Sequence, residues 1–194
     1  MRRVCVFCGS KSGGRPVFAE AAQLLGRLLA ERGLGLIFGG GHIGLMGVLA
    51  DAVLAAGGEV AGVIPQALVD KELAHSQLTE LHVVGTMHQR KALMADRADA
   101  FVALPGGFGT CEEFFEVLTW AQLGIHDKPI GLLNVAGFFD PLLAWIDGAV
   151  AEGFIRPKHR SLLLVAAEPS RLLDELRSYR PTLPRDKWIE PGER

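Results

Sequence analysis

Residues 104–116, LPGGFGTCEEFFE, place two adjacent carboxylates directly after a glycine-rich turn. An apolar run over Ala100–Leu104 ends at Pro105, and a helical pattern opens at residues 110–113. Glycines let the backbone approach a ligand, and the free N–H groups of a helix start attract phosphate. Glu112 and Glu113 then fall in the first turn of the predicted helix. A phosphate cradle with an acid beside it indicates chemistry on a phosphorylated substrate.

The same residues allow a purely structural interpretation. Thr110-x-x-Glu113 fits a capping box, in which the hydroxyl and the carboxylate satisfy free backbone N–H groups. Glu112 and Glu116 would then be ordinary acids near the positive end of the helix dipole. The loop alone leaves catalysis and capping open.

Two cations lie on the apolar stripe of a second predicted helix, in MHQRKALM at residues 87–94. Helical spacing puts Arg90 and Lys91 along the face shared by Met87 and Met94. Buried cations are rare unless they are paired, so these side chains are expected to reach an anionic ligand or an acid. The alternatives are long stems that snorkel to solvent or a structural ion pair.

A third loop, GGGHIG at residues 39–44, satisfies G-x-G-x-x-G after a strand and before a helix. A dinucleotide site also needs an acid that ends the next strand, about 20 residues on. The available acid, Glu59, stands at the start of that strand. The loop is therefore better interpreted as a second phosphate loop or as a tight turn that packs closely. A P-loop signature is absent from the sequence.

Short apolar runs alternate with amphipathic segments along the chain, which predicts a Rossmann-like α/β fold with a doubly wound parallel sheet. Strands are predicted at Val4–Cys8, Leu34–Phe38, Glu59–Ile64, Leu81–Val84, Ala100–Leu104, Ile130–Leu133 and Leu162–Val165. Helices are predicted at Val17–Glu31, Leu45–Ala56, Met87–Arg97, Cys111–Leu123, Pro141–Glu152 and Ser170–Arg177. Ligands bind such sheets beyond the carboxyl ends of the strands, so the loops Gly9–Gly14, Gly39–Gly44 and Gly106–Gly109 should share one edge. We expect one domain over residues 1–179 and an extended tail over 180–194.

Composition narrows the class of protein. The 194 residues carry a formal net charge of −2, which argues against a nucleic-acid binder. No apolar stretch is long enough to cross a membrane or serve as a signal segment, so a cytoplasmic protein is expected. The three cysteines form no disulfide framework, and Cys5 and Cys8 should face opposite sides of a strand. The histidines show no zinc spacing, so no metal site is expected.

Taken together, MHQRKALM, LPGGFGTCEE and WAQLGIH resemble the Lonely Guy (LOG) phosphoribohydrolases, proteins often labelled "possible lysine decarboxylases". The likeness extends from CGS at 8–10 through GGGHIGLMG to GFF at 137–139. It implies a Rossmann-like homodimer that needs no cofactor. It also implies cleavage of the N-glycosidic bond of cytokinin riboside 5′-monophosphates, giving the free base and ribose 5-phosphate; AMP is a further possible substrate.

The resemblance also implies roles for individual residues. Arg90 and Glu113 match the family's catalytic pair, and Arg90 should orient Glu113 and keep its carboxylate ionised. Positions that match or flank the nucleotide contacts are Ser10, Gly40, Gly41, Glu72, Lys91, Gly106, Gly107, Phe108, Gly109, Thr110, Cys111, Glu112 and Thr119. Phe108 stands where the family often has tyrosine.

Two other functions compete with hydrolysis. A decarboxylase would need a pyridoxal-phosphate lysine with a partner for the ring nitrogen, and the setting of Lys91 beside Arg90 offers no such pattern. A non-catalytic nucleotide sensor would keep the glycine loops and make Glu113 purely structural.

Overall fold

The apolar runs of the sequence form one parallel sheet of seven strands. The structure is a computed structural model, and it describes residues 1–71 and 73–181. The strands are β1 (Arg3–Phe7), β2 (Gly35–Phe38), β3 (Val60–Pro65), β4 (Glu80–Val84), β5 (Ala100–Ala103), β6 (Ile130–Leu133) and β7 (Leu163–Ala166). Their order across the sheet is β4-β3-β2-β1-β5-β6-β7, which confirms the predicted doubly wound fold.

Helices connect the strands and cover both faces of the sheet. They are α1 (Pro16–Glu31), α2 (Gly44–Ala55), α3 (Gln66–Val69), α4 (Met87–Arg97), α5 (Phe108–Gln122), α6 (Asp140–Ala151), α7 (Pro157–Arg160) and α8 (Pro169–Ser178). Six of them were predicted from periodicity. The single-turn helices α3 and α7 were not, because four residues are too few to show an amphipathic period.

The core has two halves, one on each face of the sheet. The first packs β1 and β2 against α1, α2 and α8, and the second packs β5 and β6 against α4, α5 and α6. Cys8 belongs to the first half and Cys5 to the second, so the two thiols face opposite sides as predicted. In the described part of the chain, no helix combines the length and apolar character that a membrane crossing requires.

The direction of chain winding reverses between β1 and β5, which are neighbours at the centre of the sheet. Such a switch point opens a crevice beyond the carboxyl ends of the strands, where α/β proteins bind ligands. The loops that follow β1, β2 and β5 are the three glycine-rich loops of the sequence. Because these strands are parallel, the three loops lie at the same edge of the sheet, as predicted.

Candidate active site

Hydrogen bonds through Gly9 join the three glycine loops. The amide of Gly9 donates to the carbonyl oxygen of Pro105 at 3.1 Å, and its own carbonyl accepts from the amide of Leu45 at 3.0 Å. Gly44 has a φ of 60°, and a Cβ at that position would overlap the backbone of Ser10. The close approach of the loops therefore depends on the absence of a side chain at Gly44.

Helix α5 begins earlier than the sequence predicted. Gly107 is its N-terminal cap and Phe108 its first residue, and no side chain caps its free N–H groups. Thr110 is the third residue of the helix and Glu113 the sixth, so these two residues do not form the capping box that was the structural alternative. The predicted first-turn location of Glu112 and Glu113 is wrong for the same reason. The uncapped N–H groups of α5 face the crevice and remain available for an anion.

Helix α4 carries the capping box instead. The hydroxyl of Thr86 accepts from the amide of Gln89 at 3.1 Å, and the Gln89 side chain accepts from the amide of Thr86 at 3.2 Å. This cap fixes the first turn of α4, just before Arg90 and Lys91. Both cations are buried, as the helical spacing predicted.

Arg90 and Glu113 form an ion pair across the crevice. Nη2 of Arg90 lies 3.3 Å from Oε1 of Glu113, and only 11% and 10% of their side chains are exposed. Nη1 of Arg90 lies 3.8 Å from the sulfur of Met87. Nε of Arg90 is buried and has no hydrogen-bond partner among the described residues. A buried donor without a partner is unusual in folded proteins.

Burial dominates the electrostatics of Glu113. Desolvation raises the pKa of its carboxyl above the usual value, and the guanidinium of Arg90 opposes this shift only in part. Arg90 therefore favours the ionised carboxylate, as expected, but burial has the larger effect and the net pKa is raised. A buried acid with a raised pKa is a candidate for proton transfer.

Lys91 is directed at carboxylates of helix α5. Its Nζ donates to Glu112 and to Oε1 of Glu116, the latter at 3.0 Å. Burial lowers the pKa of the ammonium, but the hydrogen bonds to Glu112 and Glu116 outweigh it, so the net pKa is raised. A cation held in this way is poorly suited to form a Schiff base, which requires a neutral amine.

A cavity of about 510 Å³ opens where the three loops meet α4 and α5. The predicted site residues that line it are Ser10, Gly41, Arg90, Gly107, Phe108, Gly109, Thr110, Glu112 and Glu113. One wall is apolar and is formed by Ile43, Met46, Ile64, Leu68, Leu73 and Met87. Leu68 and Leu73 were not predicted because α3 and the segment after it have no recognisable motif. Ile43, Met46 and Met87 lie within the quoted motifs, but the motifs alone do not show that these side chains meet.

Other predicted site residues lie near the cavity or apart from it. Gly106 lines an adjacent cavity of about 230 Å³, and Gly40 packs against Ile64. Thr119 lines a separate groove beside Phe115 and Trp145. Cys111 is partly exposed on α5 between Thr110 and Glu112. Glu72 lies outside the described residues, as does the predicted tail from residue 182 onward.

Cysteine thiols and clusters of metal-binding side chains were considered as further reactive groups in the described residues. Cys8 lines the cavity, but burial and the nearby Glu113 raise its pKa, so the thiol stays protonated. All three cysteines are free. Over residues 1–71 and 73–181, no three His, Cys, Asp or Glu side chains are grouped so that they could hold a metal ion.

Solved structures similar to this chain have the same fold. The molybdenum cofactor binding protein of Rippkaea orientalis superposes with a TM-score of 0.70 at 21% identity, over 92% of this chain and 97% of its own. The molybdenum cofactor carrier protein of Chlamydomonas reinhardtii superposes with a TM-score of 0.69 at 21% identity, over 92% and 99%. At this identity the likeness establishes the architecture alone.

Sequence comparison identifies the family. Residues 46–176 match the family model described as "Possible lysine decarboxylase". A cytokinin riboside 5′-monophosphate phosphoribohydrolase of Arabidopsis thaliana is 52% identical over 180 residues, which cover 93% of this chain and 79% of that protein. A probable enzyme of the same name from Oryza sativa subsp. japonica is 56% identical, also over 93% and 79%. The chain therefore belongs to the LOG family of phosphoribohydrolases that its motifs resemble.

Proposed function

We propose that this protein hydrolyses the N-glycosidic bond of cytokinin riboside 5′-monophosphates, releasing the free base and ribose 5-phosphate. The observation that carries the proposal is the buried Arg90–Glu113 pair in a cavity beside the open N-terminus of α5. The relatives that share about half of the sequence are named for this reaction. An acid, a cation and a phosphate cradle in one cavity are the groups that the reaction needs.

Glu113 is the proposed catalytic carboxylate. Breaking an N-ribosyl bond develops positive charge on the sugar, by analogy with the oxocarbenium-like transition state of glycosidases. A carboxylate beside the anomeric carbon can stabilise that charge or take a proton from the attacking water. Nε of Arg90, which has no hydrogen-bond partner within residues 1–71 and 73–181, is the proposed donor to a ribose oxygen.

The 5′-phosphate is proposed to bind at the N-terminus of α5. Gly107, Phe108 and Gly109 line the cavity there, and Thr110 follows on the same turn. Ser10 lies on the neighbouring loop and adds a hydroxyl. Phosphate held at this point is remote from the reacting carbon, so its binding energy positions the bond for cleavage.

The apolar wall supports an N6-substituted adenine as the preferred base. Met46, Leu68 and Leu73 offer a surface that an isopentenyl group can cover, whereas unsubstituted adenine leaves part of it in contact with water. AMP is therefore proposed as a slower substrate.

A homodimer is the proposed assembly. Helix α5 and helix α6 form an apolar groove, in which the rings of Phe115 and Trp145 meet edge to face at 6.0 Å. Trp145 nevertheless remains 60% exposed, which is unusual for a large aromatic side chain. Light scattering should give the mass of a dimer for the parent protein and of a monomer for Trp145→Asp.

A cytoplasmic location is proposed because all three cysteines are free thiols.

The function is tested by chromatography after incubation with isopentenyladenosine 5′-monophosphate, isopentenyladenosine and AMP. Base released from the monophosphates but not from the riboside supports a phosphoribohydrolase. Binding without release of base would contradict the proposal and favour the sensor. Glu113→Gln should lose most of its turnover while it remains folded. A destabilised variant with normal turnover would assign Glu113 a structural role only.

A further inference from the structure

Gly39 lies against the guanidinium of Arg90, although the two residues are 51 positions apart in the sequence. A Cβ built on Gly39 would overlap Nη2 of Arg90 and lie 2.9 Å from its Cζ and 3.4 Å from its Nε. The atoms of Arg90 nearest to this point include Nη2, which pairs with Glu113. The guanidinium therefore occupies the space where any other residue would place its side chain.

Other properties of Gly39 do not require glycine. Its φ lies outside the positive region that favours glycine, so the backbone accepts alanine. All three nearest atoms to its virtual Cβ belong to Arg90. Gly39 also lines the cavity and follows directly after the last residue of β2. The nearest obstacle to a side chain at this position is thus the guanidinium of Arg90.

We propose that Gly39 is a positioning residue, which provides the space that holds the guanidinium of Arg90 in its pairing geometry with Glu113. A side chain at position 39 pushes the guanidinium away from the carboxylate. The loop then contributes to the reaction through the fit of Arg90, in addition to any contact with phosphate. This inference rests on the proposed hydrolase for its catalytic consequence, whereas the packing relationship can be tested without substrate.

The packing is tested by thermal unfolding of four proteins: the parent, Gly39→Ala, Arg90→Ala and the double variant. Gly39→Ala should lower the Tm of the parent by about 3–10 °C, because it overfills a packed site. In the Arg90→Ala background the same change should be neutral or raise Tm slightly, since the methyl enters vacated space and alanine restricts the unfolded chain. Equal losses of Tm in both backgrounds would overturn the proposal.

Gly35→Ala, at the first residue of β2, is the matched control. Its Cβ would approach no atom closer than 3.5 Å, which is an ordinary contact, so little change in Tm is expected. If Gly39→Ala does not fold alone but folds together with Arg90→Ala, the proposal is supported. If Arg90→Ala folds alone but the double variant does not, Arg90 is not the obstacle and the proposal is overturned.

The catalytic consequence is tested by the pH dependence of turnover. In Gly39→Ala, kcat should fall about a hundredfold, while KM for the monophosphate changes less. The acidic limb of the profile should also move to higher pH, because a displaced guanidinium no longer lowers the pKa of Glu113. An unchanged kcat and limb would overturn the positioning role. If the parent itself releases no base, the proposed function fails, and the four-protein comparison of Tm still decides the packing relationship.

Discussion

Nζ of Lys91 lies 3.0 Å from Oε1 of Glu116, so a further ion pair joins helices α4 and α5 beside the Arg90–Glu113 pair. Only 9% of the Lys91 side chain and 25% of the Glu116 side chain are exposed. A pair so far removed from solvent fixes the relative position of the two helices more firmly than a surface pair does. The geometry of the Arg90–Glu113 pair depends on that position.

Glu116→Gln should therefore destabilise the protein by about 1–2 kcal/mol, because it leaves a buried ammonium with weaker compensation. Urea unfolding measures the change. The matched control is Glu175→Gln, which breaks the exposed pair with Arg171 and should alter stability by less than about 0.5 kcal/mol. Equal effects of the two substitutions would show that the Lys91 pair contributes no more than a surface contact.

The stability of Glu113→Gln relative to the parent should be greater at neutral pH than at acidic pH. Because burial raises the pKa of Glu113 in the folded state, the folded protein binds a proton more tightly than the unfolded chain. The stability of the parent therefore falls as pH rises from the unfolded pKa, near 4.5, through the raised folded value. Glutamine removes this loss. The difference in Tm, variant minus parent, should grow as the pH rises from 4 to 7. Thermal unfolding of both proteins in a series of buffers across this range measures it. A difference that shrinks with pH would contradict the raised pKa.

Phe108→Ala should weaken substrate binding without affecting the fold. The ring is 97% exposed and lines the cavity, so it contributes little to the core. Loss of its contact with a bound nucleotide should raise KM by about two- to tenfold. Phe154→Ala is the control, since that ring is 87% exposed and belongs to another part of the surface. KM values that rise equally in both variants would indicate a general effect of lost aromatic surface.

Met46→Ala should reduce the preference for a modified base. The Met46 side chain forms part of the apolar wall, and its truncation removes contact with an isopentenyl group but not with plain adenine. The ratio of kcat/KM for isopentenyladenosine 5′-monophosphate to that for AMP should fall by about tenfold. An equal fall in kcat/KM for both substrates would show that Met46 does not distinguish the bases, and that its loss affects the ribose or the stability of the protein instead.

Most of the fold could be predicted because both faces of the sheet are covered, which leaves long apolar runs in the sequence. The strand β6 was predicted at its observed limits, and so was the helix α4. The start of α5 was misplaced by three residues. Glycines have a low helix propensity, so Phe108 and Gly109 looked like loop, although the packing of the loops puts them in the first turn.

The site was predictable only as far as its motifs reach. The burial of Arg90 follows from the spacing of α4, and the place of Glu113 follows from the strand, turn and helix around it. By contrast, the partners of Lys91 and the role of Gly39 depend on how α4, α5 and the β2 loop meet. Such contacts between distant segments leave no periodic signal in a single sequence.

Because Gly9 donates to one glycine loop and accepts from another, hydrogen bonds within the protein itself link the three loops. For the proposed nucleotide substrate, loops that are already linked need less ordering on binding, so less of the binding energy is lost. The same hydrogen bonds have a cost. A substitution that shifts one loop also shifts the others, and so displaces both the proposed phosphate site and Gly39, against which Arg90 packs.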